Sequence, residues 1–287
     1  MVDDRTCPSR FRFERARVLD HRQIAKDTWQ LSFDSQELAQ STRPGQFYMV
    51  RLAECNDPLI GRALAMFDRG FDSGGQASSV SVAYVVKGKF TRALSKLKVG
   101  QAIEVWGPLG NAFSKQAVDH LILVAGGVGI TPMLSVAADA LGLQSFALEP
   151  APKRYAQAVT LCYGARTRDY LAGLPSFEAL GVRLAIATED GSLGYQGRVT
   201  EVLQEQLDQA SGTVRIACCG PEPMMQAVST IASLRQVACE VSLETPMACG
   251  IGICFTCVAK IDQGSSDWDF RRTCIEGPIF PAEKIVW

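Results

Sequence analysis

Four cysteines near the carboxyl end carry the most specific chemical signal in the chain. In MACGIGICFTC, Cys249, Cys254 and Cys257 are spaced Cys-x4-Cys-x2-Cys, and Cys274 follows after sixteen intervening residues. That is the spacing of plant-type [2Fe-2S] ligands. A two-iron cluster needs four thiolates converging from one side, on a loop that turns tightly around the sulfides. Gly250 and Gly252 supply the permissive dihedrals for such a loop. Two other readings stay open: a zinc site, whose loops more often show paired Cys-x2-Cys knuckles, and unliganded thiols in a chain with ten cysteines. His21 and His120 are the only histidines, too few for a His-rich metal site. Cys7, Cys55, Cys162, Cys218 and Cys239 read as small buried or incidental residues. Cys219 differs by its place at the end of an apolar strand, just before Gly220 and Pro221.

Three further segments have the composition of nucleotide sites. GGVGITP, Gly126 to Pro132, follows the apolar run LILVA and contains Gly127, Gly129 and Thr131. Glycines at a strand-to-helix turn let backbone approach a pyrophosphate while helix N–H groups point at it, and Pro132 suits the first helical turn. TEDGSLGYQGRVT, with Asp190, and CCGPEPMM, with Cys219, Gly220 and Pro221, each follow an apolar strand, the edge at which open α/β sheets bind ligands. Each of these segments reads equally well as a tight turn or a polar loop when taken alone. Earlier in the chain, GRALAMF and KGKFT offer the guanidinium of Arg62 and a backbone turn to a phosphate; an isolated Arg62 reads as a surface charge.

The elements that must position these residues fall into three stretches. Short β-prone runs at Phe11 to Leu19, Trp29 to Phe33, Gln46 to Leu52, Ala63 to Phe67, Val80 to Val86 and Gln101 to Val105 alternate with turn residues, including a Gly/Ser-rich loop from Gly70 to Ser79. Six such strands predict a small closed antiparallel barrel over residues 1–114. From His120 the texture becomes apolar strand, glycine turn, helix, with later strands at Val159 to Tyr163, Val182 to Ala187 and Val214 to Cys218. That alternation predicts a doubly wound parallel sheet over residues 115–240. The strand pattern is lost after Cys239, so residues 241–287 form a small domain needing a staple other than burial. The expected fold class is thus multidomain β plus α/β. Glu149 to Gln157, containing Pro150 and Pro152, predicts a mobile surface insertion.

Composition excludes several functions. With 47% hydrophobic residues the chain is globular rather than disordered, and 29 Lys plus Arg against 30 Asp plus Glu leave no positive field for nucleic acid. His120 to Ala138 is the longest uncharged stretch but is broken by glycine, proline, threonine and serine, which argues against a membrane span. The amino-terminal segment mixes charges and lacks an apolar core, so no secretory signal is read there and a cytoplasmic location with reduced thiols is expected.

Together these motifs, in the order GRALAMF, GPLGNAF, GGVGITP, DGSLGYQGRVT, CGPEPMM and MACGIGICFTC, resemble the ferredoxin-reductase superfamily. Within it, they resemble the electron-transfer subunits of NAD-dependent dihydroorotate dehydrogenases. The resemblance spans nearly the whole chain. It implies a barrel carrying FAD, a doubly wound NAD-binding domain and a C-terminal [2Fe-2S] domain whose metal ligands are Cys249, Cys254, Cys257 and Cys274. It also implies a separate FMN-containing partner subunit that oxidises dihydroorotate, so that this chain is an oxidoreductase component of pyrimidine biosynthesis. By the same resemblance Arg62 holds FAD phosphates, Ala63, Leu64 and Ala65 line the isoalloxazine, and Gly88 and Thr91 close the pyrophosphate site. Gly127, Gly129 and Thr131 take the NAD pyrophosphate, Asp190 and Cys219 border its other end, Gly220 and Pro221 complete that site, and Cys219 is the catalytic candidate. Relatives commonly carry Ser or Thr where Ala65 stands, so here flavin N5 is expected to bond to backbone or water. No acidic residue ends the Val159 to Tyr163 strand, and Arg166 and Arg168 nearby suit a 2′-phosphate, so NADP competes with NAD. The rival functions are a reductase feeding an oxygenase, a hydrogenase or a ferredoxin pool, and a zinc-stapled nucleotide-sensing module without redox chemistry.

Overall fold

The computed structural model describes residues 11–149, 151–264 and 267–287. Cys7, the start of the amino-terminal segment and Pro150 lie outside them. The barrel is built from β1 (Arg12–Ala25), β2 (Thr28–Asp34), β3 (Phe47–Leu52), β4 (Arg62–Phe71), β5 (Ala77–Val85) and β6 (Ala102–Leu109), closed in the order β1-β2-β5-β4-β3-β6 with antiparallel neighbours. Val18, Leu31, Phe33, Tyr48, Val50, Met66, Val80, Val82 and Val105 fill its interior, the inward half of each strand's two-residue period. β1 outruns the predicted Phe11 to Leu19 because it changes partner: Arg12 to Arg17 pair with β6, and from Val18 onward a bulged stretch pairs with β2. The expected Gly70 to Ser79 loop contracts to the turn between Phe71 and Ala77. There the Asp72 carboxylate accepts from the N–H groups of Gly74 and Gln76, both at 2.9 Å, letting the flanking residues join the ladder. Two short helices, α1 (Gln36–Ser41) and α2 (Lys89–Leu94), cover the barrel ends.

The second unit is a sheet of β7 (Val118–Gly126), β8 (Ala156–Ala165), β9 (Arg183–Thr188), β10 (Tyr195–Gln196), β11 (Val214–Cys219) and β12 (Ala238–Ser242), all parallel. Each central strand is buried on both sides. On β7, Leu121, Leu123 and Ala125 pack under α3 (Met133–Ala140) and α4 (Leu174–Ala179), while Ile122 and Val124 face α5 (Val199–Gln209) and α6 (Glu222–Leu234). This two-sided burial is why the strands read as continuous apolar runs. The predicted insertion is shorter than Glu149 to Gln157. Tyr155 and Ala156 are buried at the start of β8, and Glu149 is held by the ammonium of Lys115 at 2.8 Å.

The carboxyl-terminal segment does not leave the strand pattern behind at Cys239. β12 spans that residue; a hairpin of β13 (Val258–Gly264) and β14 (Asp267–Arg272) follows; and β15 (Ile279–Pro281) pairs antiparallel with β12, as the seventh strand of the sheet. Asn111, buried in the GPLGNAF segment, clasps that return. Its N–H donates to the Gly277 carbonyl at 2.6 Å, its amide nitrogen to the Ile279 carbonyl at 2.8 Å, and its side-chain oxygen accepts from Ile279 N–H at 3.0 Å. The staple that the sequence demanded is therefore partly hydrogen-bonded backbone.

Candidate functional site

The cysteine loop lies against the outer face of the barrel. Gly250 and Gly252 adopt φ of 73° and 80°, and a Cβ on Gly250 would stand 2.6 Å from Met49 Cγ and 2.9 Å from Leu109 Cδ1. Glycine lets the loop press this close without displacing either side chain. Trp106, on β6, donates its indole N–H to the Cys249 carbonyl at 2.9 Å, and Arg272 donates to the Gly252 carbonyl at 3.1 Å. On the inner side Cys257 and Cys274 are buried with Phe47, Met49 and Leu109, and Ala63 and Ala65 pack against the same group.

The four thiols associate in two pairs, Cys249 with Cys254 and Cys257 with Cys274. Contact with Thr256, and then with Cys249, draws the exposed Cys254 thiol down to about 6. Burial, and then the neighbouring Cys257, pushes Cys274 up to about 12. The Ile251 N–H already donates to Cys249 Sγ at 3.4 Å, the kind of bond that tunes a sulfur ligand. Among the described residues no three His, Cys, Asp or Glu side chains gather as a site for one ion. Three thiols on a loop whose glycines fit the barrel, with Cys274 from the turn after β14, match the donor set of a two-iron cluster.

On β4, Arg62, Ala63, Leu64 and Ala65 pair with Val50, Met49, Tyr48 and Phe47. Strand alternation sends Leu64 into the barrel core, so Ala63 and Ala65 alone share a face with the buried thiols. The Arg62 guanidinium lies 5.9 Å from the Phe90 ring centre, which brings it to the turn formed by Gly88 and Thr91. Thr91 Oγ1 accepts the N–H groups of Lys87 at 2.9 Å and Gly88 at 3.0 Å, and nothing stands within 4 Å of a Cβ on Gly88. Arg62 and Gly88, both exposed, thus lie with the half-buried Thr91 around one turn.

The dinucleotide turn is tighter. After β7 the chain makes one 3-10 turn, Gly127–Ile130, before Pro132 caps α3. A Cβ on Gly129 would lie 2.2 Å from the Cys219 carbonyl oxygen and 2.7 Å from Gly220 Cα; one on Gly126 would meet Pro221 Cδ at 2.8 Å. Thr131 is buried in the same turn, and its N–H donates to the Val128 carbonyl. Gly127, at φ 52°, opens outward with nothing within 4 Å of a Cβ. Cys219 therefore sits beside Gly129, its thiol pushed up to about 12 mainly by burial, so it remains a neutral donor rather than a thiolate.

Asp190 falls elsewhere. It follows β9, two strands from β11's neighbour β7, and its carboxylate is taken up by Ser192 N–H at 3.0 Å and Ser192 Oγ at 2.6 Å, which hold its pKa below the usual carboxylate range. Its own N–H donates to the Arg166 carbonyl at 3.3 Å, and Arg168 N–H reaches Ser192 Oγ at 2.8 Å. Asp190 and Cys219 thus follow strands three places apart in the sheet, and Asp190 lies beside Arg166 and Arg168.

The positioning roles of three residues are not readable from the motifs: Trp106, Asn111 and Tyr163. The buried Tyr163 hydroxyl donates to the Gly127 carbonyl at 3.0 Å and accepts from Ala172 N–H at 3.2 Å, fixing the glycine turn from the next strand.

Sequence comparison agrees with this geometry in all three parts. Residues 15–113 match an oxidoreductase FAD-binding domain, 123–230 an oxidoreductase NAD-binding domain, and 244–286 the iron-sulfur cluster binding domain of dihydroorotate dehydrogenase B. The dihydroorotate dehydrogenase B (NAD(+)) electron transfer subunit of Desulforamulus reducens is 33% identical over 273 residues, 95% of this chain and 97% of that protein. That of Caldanaerobacter subterraneus is 33% identical over 277 residues, covering 95% and 98%. Among solved structures, an NADH-dependent reduced ferredoxin-NADP oxidoreductase superposes with a TM-score of 0.77 at 28% identity, over 95% of this chain and 90% of that one. The cytochrome b5 reductase domain of Ulva prolifera nitrate reductase, at 18% identity, 78% and 93% coverage and a TM-score of 0.60, shares the fold. No helix among the described residues is long and apolar enough to cross a membrane. With two relatives a third identical end to end, and a cysteine loop that matches their iron-sulfur domain, the chain belongs to the dihydroorotate dehydrogenase B electron-transfer subunits.

Proposed function

We propose that this chain passes electrons between a dihydroorotate-oxidising, FMN-containing catalytic subunit and NAD, by way of a [2Fe-2S] cluster and an FAD. When bound, these groups supply single-electron transfer at the cluster and, at the flavin, the change between single electrons and hydride that no side chain performs. The chain's own residues position them. Cys249, Cys254, Cys257 and Cys274 are the cluster ligands; the buried pair exchanges its protons for iron on binding. Arg62 offers its planar donor fork to FAD phosphates, with Gly88 and Thr91 closing the turn beside it. Ala63 and Ala65 present a flat, small-residue face, and Leu64 contributes only backbone there. Gly129 admits the NAD pyrophosphate, with Gly127, Thr131, Gly220 and Pro221 around it, and Asp190 meets the adenosine end. Cys219, protonated, donates its S–H at the nicotinamide end as the catalytic residue.

The observation that carries this reading is the shared packing of Cys257 and Cys274 with Ala63 and Ala65, which sets the ligands against the flavin-bearing strand. The division into residues 1–114, 115–240 and 241–287, and a cytoplasmic location that keeps the thiols reduced, belong to the same proposal. An absorption spectrum of freshly purified protein tests it: flavin and iron-sulfur bands are expected, and a colourless, zinc-loaded preparation would sink it. The likeness to the ferredoxin-NADP oxidoreductase, at a TM-score of 0.77, favours a second reading, reductase of a ferredoxin-type acceptor. Co-purification with a dihydroorotate-oxidising flavoprotein decides for the first, and NADH-driven ferredoxin reduction with no such partner decides for the second.

A further inference from the structure

We infer that Arg69 is a positioning residue: together with a strap that follows α3, it fixes the flavin-bearing strand β4 against the helix that opens at the dinucleotide turn, and so sets the approach of nicotinamide to flavin. This rests on the proposed placing of FAD along β4 and of NAD at Gly126 to Pro132. β4 begins at Arg62 and runs on to Phe71, and α3 ends at Ala140, so each element has a far end away from its proposed cofactor residues. The strap joins those far ends. Arg69 donates from Nη1 to the Ala39 carbonyl of α1 at 3.0 Å, and from Nη2 to Gln144 Oε1 at 3.1 Å and the Ser145 carbonyl at 2.9 Å. Its guanidinium lies 3.8 Å from the ring centre of Phe146, which is buried among the barrel residues Leu38, Met66 and Val80. Leu148 N–H then donates to the Gln40 carbonyl at 3.1 Å. Glu149 closes the strap on Lys115, whose ammonium also holds Asp139 of α3 at 3.0 Å.

Three features distinguish this junction from incidental contact. Arg69 is only 6% exposed, and the acceptors of its fork are carbonyl and amide oxygens on both sides of the junction, so the fork registers backbone rather than neutralising a charge. Ala147 and Leu148 hold φ of 55° and 61°, a backbone costly to residues with a Cβ, which persists where its surroundings dictate it. Two residues before Arg69, Phe67 joins the apolar core that α3 covers, and a Cβ on Gly173 would meet its ring at 2.9 Å. β4 is thus tied to the second unit at two places. Hydride transfer is sensitive to a misplacement of about 1 Å, and these ties are what hold the two cofactor-bearing elements in one geometry.

The test uses the intact, cofactor-loaded chain and two measurements: hydrogen exchange of the strap amides, and anaerobic stopped-flow reduction of FAD by NADH. Arg69→Met keeps the apolar stem and removes the fork. It is expected to speed exchange at the strap, Leu148 above all, and to lower the reduction rate constant at saturating NADH by about tenfold or more. NADH affinity, FAD content and iron-sulfur absorption should match the unaltered chain. Should that variant fail to fold with FAD, Gln144→Ala and Phe146→Leu carry the same two measurements, with changes in the same direction. Val228→Ala, which loosens packing on α6 at the opposite face of the sheet, should alter neither strap exchange nor the saturating rate. Unchanged strap exchange or an unchanged saturating rate in the folded variants overturns the inference. So does an equal fall of that rate in Val228→Ala, since general loosening would then account for it. If the unaltered chain holds FAD yet NADH never reduces it, it is the proposed function that falls.

Discussion

The two glycine-built turns of this molecule use the missing side chain in opposite ways. In the cysteine loop, Gly250 and Gly252 are needed for their left-handed backbone, and their nearest obstacles are side-chain atoms, Met49 Cγ at 2.6 Å and Ile275 Cδ1 at 2.8 Å. In the dinucleotide turn, Gly129 stands where a Cβ would meet a carbonyl oxygen of the neighbouring strand at 2.2 Å. A methionine can swing aside, whereas β11 is paired on both edges, to β7 and to β12, and cannot. The loop is thus a conformational requirement with some give, and the turn a steric one with none. The first shapes a lid over the barrel; the second fixes a floor where β7 and β11 lie side by side.

The separation of the two regions can be broken most directly at a ligand. Cys257→Ser is expected to abolish iron-sulfur absorption and transfer to the partner while leaving NADH-driven flavin reduction largely intact, read by anaerobic titration. Flavin reduction lost in a folded variant would show that the regions do not work in series. Gly129→Ala comes next. Overpacking against immovable backbone should cost about 3 kcal/mol of stability and remove NADH-driven reduction, with the cluster spectrum retained. Thermal unfolding and the spectrum check it together.

How much of this was legible in the sequence follows the range of each signal. Cysteine spacing and the glycine turns are local patterns, so the cysteine loop, the strand-turn-helix segments and both main folds could be read. Trp106, Asn111 and Tyr163 could not, because each matters through a hydrogen bond to a residue far along the chain: Cys249, Ile279 and Gly127. The side of β4 that carries Leu64 depends on register with β3, which no motif states. β15 has three residues and no pattern of its own; pairing with β12 and the Asn111 clasp create it. The resemblance puts Asp190 and Cys219 at one end of the dinucleotide, whereas strand order, which composition does not reveal, sets β9 and β11 three places apart.

Gly250→Ala sharpens the contrast from the loop side. A left-handed alanine costs about 1–2 kcal/mol, and Met49 can yield, so the variant should fold, keep most of its cluster and lose less stability than Gly129→Ala. Equal losses would erase the distinction between conformational and steric glycines. The thiol beside the floor offers a chemical version of the same test. Burial raises Cys219 to about 12, so its thiolate is scarce at neutral pH and increases only toward strongly alkaline pH. Iodoacetamide should spare Cys219 in the folded protein near pH 8 and reach it on unfolding, as peptide mapping would show.

The smallest expected effect lies at the join between the barrel and its lid. Trp106→Phe keeps the aromatic packing against Phe13 and removes one bond, the indole N–H to the Cys249 carbonyl. A single such bond contributes about 1 kcal/mol, so global stability should barely change. The consequence should instead be local: with that carbonyl released, the first ligand of the loop is less well placed, and iron should leave faster under a chelator while the flavin spectrum stays the same. Iron release at the unaltered rate would mean that Gly250, seated on Met49 and Leu109, positions the loop without help from the indole. The lid would then resemble the floor more than the two sets of glycine contacts suggest.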